Sequence, residues 1–252
     1  MMAEETDSGA VPGQAIWARP ERSARGPSPE HSRPEIAAAG VALADASGLA
    51  AVTMRSVAAA IGTGAASLYR YVATRDELIE LMADLVYSEI GYDEPASGQP
   101  AADLLRVARQ GRAMYLRHPW LLDIPVTRSL PGPNALAFIE HVLAALAGTG
   151  LDGPARLETV GLFSGAVRLA AQSERDQRAA GQDAAQWQAA LAGYLLGIAA
   201  AGTHPHLAAA LADPPGDDGA AAGQLTLFDR IIFRIINGLL PQLPPEGPPD
   251  PR

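Results

Sequence analysis

The sequence predicts an all-α protein, with a small N-terminal domain of three helices and a larger helical C-terminal domain. Two observations carry the prediction. Ala is abundant while aromatic residues make up only 5% of the chain, a composition that favours helix over strand. Apolar residues also recur every three or four positions behind residues that cap helices, and no stretch alternates as a strand would.

Composition limits the class of protein. The chain has 252 residues, of which 48% are hydrophobic and 19% charged, which is typical of a globular protein. Cysteine is absent, which excludes disulfides, thiolate metal sites and cysteine nucleophiles. The acidic start predicts no signal peptide. The uncharged stretch Ala184–Ala212 is interrupted by Pro205 and is predicted to be a buried helix rather than a membrane span. We expect a cytoplasmic protein.

Four regions follow from the distribution of Gly, Pro and charge along the chain. Residues 1–31 are predicted to be mostly disordered, and 241–252 to form a loose Pro-rich tail. Residues 32–90 are predicted to form the N-terminal domain, and 91–240 the larger helical domain. The linker 91–100 would separate the two.

Two pairs of residues predict where N-terminal helices begin. Ser32 with Glu35, and Thr74 with Glu77, have the spacing of a capping box, in which each partner bonds to the backbone of the other. The first helix would bury one face, formed by Ile36, Ala39 and Leu43. The second pair would begin a long helix that reaches residue 90.

Between these helices the sequence predicts a helix-turn-helix. Thr53 would cap a short second helix, and Gly62-Thr63-Gly64 would form the turn before a third. The apolar residues that would face inward are Val57, Ala58 and Ile61 in the second helix and Leu68 and Val72 in the third. A helix held in this way fits the major groove of duplex DNA.

Charge and side-chain chemistry agree with DNA as the partner. The net charge is −9, but the window 46–75 carries +3 and the remainder −12. Tyr69 is either a packing residue or a phosphate donor. Arg55 and Arg75 lie in first helical turns, where a cation is unfavourable for the helix dipole, and this misfit favours contact with phosphate. The predicted DNA-binding residues are Thr53, Arg55, Gly64, Ser67, Tyr69, Arg70, Tyr71 and Arg75.

The same residues carry a family resemblance. The runs Val52–Gly62, Ser67–Val72 and Arg75–Leu78 resemble the DNA-binding domain of the TetR family of transcriptional regulators. The resemblance implies an all-helical homodimer that binds a palindromic operator. It also implies DNA contacts from five positions: Arg55, Ser67, Tyr69, Tyr71 and Arg75.

The second half is similar to the C-terminal domain of tetracycline-repressor-like members. The stretches that carry this similarity are Arg117–Trp120, Gly132–Ala135 and Phe228–Gly238. The similarity implies a domain for dimerisation and for binding a small-molecule effector, and it names no effector. It implies a repressor that the effector releases from DNA.

A sensor domain needs an apolar cavity with a few polar groups that orient the ligand. Large rings among many Ala residues would leave such a cavity, because Ala fills little space. The residues predicted to line it are Tyr115, His118, Trp120, Arg128, His141, Phe163, Gln172, Trp187 and Tyr194.

The last predicted helix, Leu225–Leu240, is apolar over more than one stripe, so it should be covered on two flanks. In one interpretation its second flank meets a partner subunit, with helix 153–179 completing a four-helix bundle. In the other it is a fully buried central helix. The predicted interface residues are Phe228, Ile232, Phe233 and Ile236.

The sequence offers little support for other chemistry. No Gly-rich phosphate loop and no nucleophile elbow is present, so we expect no catalytic residues and no cofactor. His204 and His206 flank a proline without a matching carboxylate pair, so no metal site is predicted. An all-helical enzyme and a ligand-free architectural DNA-binding protein remain the alternatives.

Overall fold

The computed structural model of the chain describes residues 16–18, 30–91, 96–125, 131–213 and 226–240 and, for 182–185, the backbone alone. These residues form helices and turns without a strand, which confirms the all-α class. The chain divides into two compact units. The first comprises residues 1–100 and 113–147, and the second comprises residues 101–112 and 148–252.

The first unit is larger than the predicted N-terminal domain, because residues 113–147 cluster with the helices that precede residue 90. Its helices are α1 (Arg33–Ser47), α2 (Met54–Ala60), α3 (Ala65–Leu68), α4 (Arg75–Tyr87), the C-terminal part of α5 (Pro100–Arg117) and α6 (Pro133–Ala145). Short 3-10 turns at Leu49–Ala51 and Pro119–Asp123 follow α1 and α5. Neither turn was predicted from the sequence.

Helix α1 packs along α4, although not through the face that the sequence predicts. The buried residues of α1 are Ile36, Ala37, Gly40 and Ala44. The expected Ala39 and Leu43 are only half-buried. The face is rotated because the absence of a side chain at Gly40 admits Met82: a Cβ there would lie 2.6 Å from the Met82 sulfur.

The predicted helix starts are largely confirmed. Ser32 and Glu35 form a complete capping box at α1. Thr74 accepts a hydrogen bond from the Glu77 amide at 3.1 Å, as predicted. The Glu77 carboxylate accepts from the Ala73 amide at 2.8 Å and not from the Thr74 amide. Only one of the two bonds of a capping box is therefore formed at α4.

Part of the N-terminal extension is ordered. Residues Ile16–Ala18 form a 3-10 turn in which Ile16 is fully buried, and the Arg33 guanidinium donates to the Ile16 carbonyl at 2.9 Å. The composition of residues 1–31 did not predict this turn, because it is stabilised by the burial of a single apolar side chain. The remainder of the predicted disordered region before residue 30 lies outside the described residues.

The second unit is built from long helices. They are the N-terminal part of α5, α7 (Gly153–Ala200), α8 (Pro205–Ala212) and α9 (Leu227–Leu239). Helix α7 breaks at Gly181, whose φ of 54° and ψ of −131° suit glycine. Its two parts correspond to the predicted helix 153–179 and to the first part of the helix predicted within Ala184–Ala212. Helix α8 was not predicted, because the sequence suggested only an interruption at its first proline.

The core of the second unit lies among α5, α7 and α9. Its buried side chains include Leu104, Val107, Phe163, Val167, Phe228, Ile232 and Ile236. Arg112 of α5 bonds both carboxylate oxygens of Glu174 on α7 at 2.6 Å. Arg109 donates to Asp229 on α9 at 2.8 Å, and this hydrogen bond lowers the pKa of the Asp229 carboxyl and raises that of Arg109.

The segment 186–213 differs from the rest of the second unit. None of its side chains is buried, and large apolar ones such as Trp187, Tyr194 and Leu196 are more than half exposed. The prediction of a buried helix over this stretch is therefore wrong for the single chain. Among the described residues no helix is long and apolar enough to cross a membrane.

Candidate nucleic-acid interface

The turn between α2 and α3 is fixed by local bonds. The Thr53 hydroxyl accepts from the Ser56 amide at 3.0 Å, and the Ser56 hydroxyl accepts from the Thr53 amide at 2.9 Å, which closes a capping box at the start of α2. After α2, Gly62 adopts a φ of 74°, a conformation that other residues rarely take. The predicted helix-turn-helix is therefore formed.

Buried side chains hold α3 against the unit. Val57 and Ala58 on α2, and Leu68 and Val72 on and after α3, are buried, as predicted. Ile61, expected to face inward as well, is only half-buried because it ends α2. Helix α3 spans four residues and continues as a turn through Tyr71.

The outward face beside Leu68 is polar and exposed. Tyr69 is 53% exposed, and Arg70 is exposed as well. Thr53, Arg55 and Gly64 are also exposed, whereas Ser67 and Tyr71 are half-buried. Neither Arg55 nor Arg70 forms an ion pair within the part of the chain that the structure describes. Both cations are therefore available to an anionic partner.

Arg75, which is predicted to contact DNA, also has partners within the first unit. Its Nε donates to the Val52 carbonyl at 2.7 Å, and its second guanidinium nitrogen donates to the Leu49 carbonyl at 2.8 Å. These bonds satisfy one carbonyl of the 3-10 turn that precedes α2 and one carbonyl at the residue that follows the turn. They explain why a cation stands at the first turn of α4 without invoking phosphate.

A histidine missed by the sequence analysis lies next to the predicted surface. The His31 ring meets the Tyr71 ring edge-on, with 6.4 Å between centroids, and its Nδ1 lies 3.0 Å from the Glu35 carboxylate. This hydrogen bond lowers the pKa of Glu35. His31 precedes α1, and the sequence pattern gave no indication that it would reach Tyr71.

Two of the predicted ligand-binding residues line a groove of the second unit. Gln172 and Trp187 line one groove of about 610 Å³ at the break in α7, together with Leu169, Ser173 and Asp176. The other candidates lie elsewhere: Tyr194 is exposed outside the groove, Phe163 is in the core of the second unit, and Tyr115, His118, Trp120 and His141 belong to the first unit. Arg128 lies outside the described residues.

His118 and Trp120 have polar partners within the first unit. The His118 Nδ1 and the Trp120 Nε1 both lie within hydrogen-bond distance of Asp45, at 2.8 and 2.7 Å. The His118 Nε2 lies 3.0 Å from Glu89. The polar atoms of both rings therefore have partners within the first unit, and their place in a ligand site stays a prediction. The two carboxylates are remote in sequence, so no local pattern reveals them.

The predicted interface residues fall into two groups. Phe228, Ile232 and Ile236 are buried in the core of the second unit, so they have little surface for a partner. Phe233 is 38% exposed, and Ile231, which was not singled out, is 43% exposed. The sequence could not tell which flank of α9 faces its own core, because both flanks are apolar.

Comparison with known proteins places these features in a family. The family described as bacterial regulatory proteins, tetR family, matches residues 36–82. The tetracyclin repressor-like C-terminal domain matches residues 94–240. The repressor DrrR1 of Streptomyces coeruleorubidus is 36% identical over 236 residues, which cover 90% of this chain and 83% of that protein.

Solved structures of TetR family proteins are also similar to this chain. The TetR family protein ActR of Streptomyces coelicolor, in complex with actinorhodin, has a TM-score of 0.68 at 31% identity, covering 83% of this chain and 95% of that one. Its complex with (S)-DNPA has a TM-score of 0.65 at 31% identity, with 83% and 97% coverage.

Proposed function

The chain belongs to the TetR family, whose members are DNA-binding regulators of transcription, and we propose that it is a homodimeric repressor released from its operator by a small molecule. The observation that carries the proposal is the surface at α3. Tyr69 and Arg70 project outward directly after Leu68, which is fully buried and fixes the orientation of the helix. Arg is the residue that most often reads guanine edges in the major groove.

The experiment that tests DNA binding is selection of duplexes from a random pool by the purified protein. A symmetric dimer presents two reading helices, so the selected duplexes should contain two half-sites related by a two-fold axis. Affinity for the selected duplex should fall steeply with salt, because phosphate contacts release counterions. Recovery of no sequence preference, or of single half-sites only, would contradict the proposal.

Exposed apolar residues on both long helices of the second unit support dimerisation. On α7, Leu157, Leu162 and Leu169 are each at least 60% exposed. Gly161 and Gly165 lie between them, one turn apart, and an added Cβ at either would meet no atom within 4 Å in the single chain. Large exposed leucines beside open glycines are suited to close approach by another helix.

Sedimentation tests the dimer. Phe233→Glu places a charge on the exposed flank of α9 and should give a folded monomer, whereas Leu136→Glu, at a residue 52% exposed on α6, should remain a dimer. Gly165→Leu has room in the single chain and should also weaken the dimer if a partner helix lies there. A dimer of unchanged affinity in both Phe233→Glu and Gly165→Leu would exclude this surface as the interface.

The groove at Gly181 is the described site best suited to an effector. Its volume of about 610 Å³ lies within the roughly 300–1,000 Å³ of typical ligand sites. The Trp187 ring offers a flat apolar wall, and Gln172 and Ser173 offer hydrogen-bonding groups. ActR, a relative, has been solved with actinorhodin bound, and we propose a flat, largely apolar effector for this chain.

Thermal stabilisation by actinorhodin and a panel of flat apolar compounds tests this site. Trp187→Ala should abolish stabilisation by any compound that binds in the groove. The matched control is Tyr194→Ala, which removes an equally exposed ring that does not line the groove. A compound that prefers the form that does not bind DNA must lower operator affinity by the same coupling factor. Equal stabilisation of wild type and Trp187→Ala would place the effector elsewhere.

A further inference from the structure

The side chain of His31 connects the start of α1 to the turn that ends α3. Its ring meets the Tyr71 ring edge-on, with 6.4 Å between the centroids and 72° between the ring planes. Rings arranged in this way at this separation attract one another. The contact joins a residue just before α1 to a residue of the predicted DNA-binding surface.

The His31 ring is also bonded to the first turn of α1. Its Nδ1 lies 3.0 Å from one carboxylate oxygen of Glu35, and it is the donor because an ionised carboxylate only accepts hydrogen bonds. The second Glu35 oxygen accepts from the Ser32 amide at 3.4 Å, as part of the capping box that begins α1. The capping box therefore helps to fix the ring as well as the helix.

His31 itself has little to offer a DNA strand. Its side chain is only 11% exposed. Its Nδ1 already bonds to Glu35, and its Nε2 is buried and has no hydrogen-bond partner among the residues that the structure describes. An effect of this ring on DNA binding must therefore pass through a residue that it touches, and Tyr71 is such a residue.

The backbone of Tyr71 is fixed, but its side chain is only half-buried. Its amide donates to the Leu68 carbonyl at 2.9 Å, and both Leu68 and the following Val72 are fully buried. These interactions leave the side chain free to rotate about its own bonds. A ring that packs edge-on against the Tyr71 ring restricts that rotation.

Such a restriction favours binding. Immobilising a side chain at an interface costs conformational entropy, and this cost is smaller when the free protein already holds the side chain in place. The family resemblance implies that Tyr71 contacts DNA. A residue that orients Tyr71 before DNA arrives therefore raises affinity without touching DNA.

We propose that His31 is a positioning residue for DNA binding: its ring, held by Glu35, orients the side chain of Tyr71 for contact with the operator. The inference rests on the proposed function, because it requires Tyr71 to contact DNA. It extends the residues that determine operator affinity from α3 to the start of α1.

A double-mutant cycle tests the proposal with a duplex selected by the wild type. His31→Ala should lower affinity roughly threefold to tenfold, through loss of one ring contact and of the restriction on one side chain. Tyr71→Ala should lower affinity at least as much. When Tyr71 is already Ala, adding His31→Ala should have no further effect, because the ring then has no side chain to orient.

Tyr69 provides the matched control for this cycle. It is also predicted to contact DNA, and its side chain is 53% exposed. When Tyr69 is replaced by Ala, His31→Ala should cause the same loss of affinity as it does in the wild type. A purely structural role of His31 would cause equal losses in the Tyr69→Ala and Tyr71→Ala backgrounds.

Two further variants separate the ring of His31 from its hydrogen bond. His31→Phe keeps a ring against Tyr71 and should bind DNA within about twofold of the wild type. His31→Gln keeps a polar group near Glu35 but has no ring, and it should bind as weakly as His31→Ala. The pair decides the question even if His31→Ala folds poorly, and the opposite order of affinities would overturn the proposal.

The outcomes distinguish this inference from the proposed function. If His31→Ala binds as the wild type does while Tyr71→Ala binds more weakly, the inference is wrong and the DNA-binding function stands. The same conclusion follows if the loss caused by His31→Ala is equal with and without Tyr71, or if Tyr71→Ala binds as tightly as the wild type. If no duplex can be selected, the proposed function fails and the inference fails with it.

Discussion

The helices of the first unit around α3 and the segment 186–213 of the second unit are both helical, yet only the former is complete within one chain. Ile36, Val57, Leu68 and Met82 are at most 1% exposed. In the segment 186–213 no described side chain is buried, although it contains Trp187 and several leucines.

The contrast shows what each region requires to be stable. The first region buries its apolar side chains and caps its helices with residues of its own sequence. Segment 186–213 retains exposed apolar surface that a monomeric protein rarely presents. In the proposed function a second copy of the chain or the effector would cover this surface.

The largest expected effect comes from removing a buried side chain. Leu68→Ala should lower the free energy of unfolding by about 2–5 kcal/mol, because Leu68 is fully buried. Leu196→Ala, at a residue 58% exposed, should change it by less than about 0.5 kcal/mol in the monomeric Phe233→Glu background. Urea denaturation measures both, and a large loss for Leu196→Ala would show that the segment is packed within the chain.

Substitutions of Arg75 and Arg70 should distinguish a side chain that stabilises the fold from one that is free to contact DNA. Arg75→Ala removes two hydrogen bonds to backbone carbonyls and should cost about 1–3 kcal/mol in the free energy of unfolding. Arg70→Ala should leave that free energy within about 0.5 kcal/mol of wild type. Urea denaturation with helix content as the signal tests both, and equal losses would contradict the distinction.

A smaller, pH-dependent effect is expected in the second unit. The hydrogen bond from Arg109 lowers the pKa of Asp229. The ionised carboxylate therefore adds to the free energy of unfolding above the ordinary carboxyl pKa of about 4. This added stability is lost as the pH falls through the lowered pKa. Asp229→Asn should be less stable at neutral pH by about 1 kcal/mol or less, since Arg109 is half exposed. The stability difference from wild type should narrow in acid, and an unchanged difference would assign the stabilisation to another group.

The helix-turn-helix could be predicted from the sequence because its determinants are local. Thr53 and Ser56 are three residues apart, and Leu68 and Val72 are one helical turn apart. A capping box and an i, i+4 pair can be recognised without knowing what lies across the core. The surface residues Tyr69 and Arg70 follow from that register.

The partners of the other predicted site residues could not be predicted, because these contacts join residues far apart in the chain. His118 reaches Asp45, 73 positions away, and Arg75 reaches Leu49, 26 positions away. Composition and periodicity contain no information about such pairs. For the same reason the sequence did not show that His118 and Trp120 share Asp45 as a partner. The predicted residues Gln172 and Trp187 line one groove.

The most direct test of the DNA-binding account is the affinity of Arg70→Ala for a selected duplex. The control is Arg178→Ala, which removes the same charge from the second unit, where Arg178 is 60% exposed. The account predicts that Arg70→Ala loses about 1–3 kcal/mol of binding free energy and discriminates less at one base position, with folding unchanged. Equal affinity and specificity in Arg70→Ala, Arg178→Ala and the wild type would contradict the assignment of α3 as the reading helix.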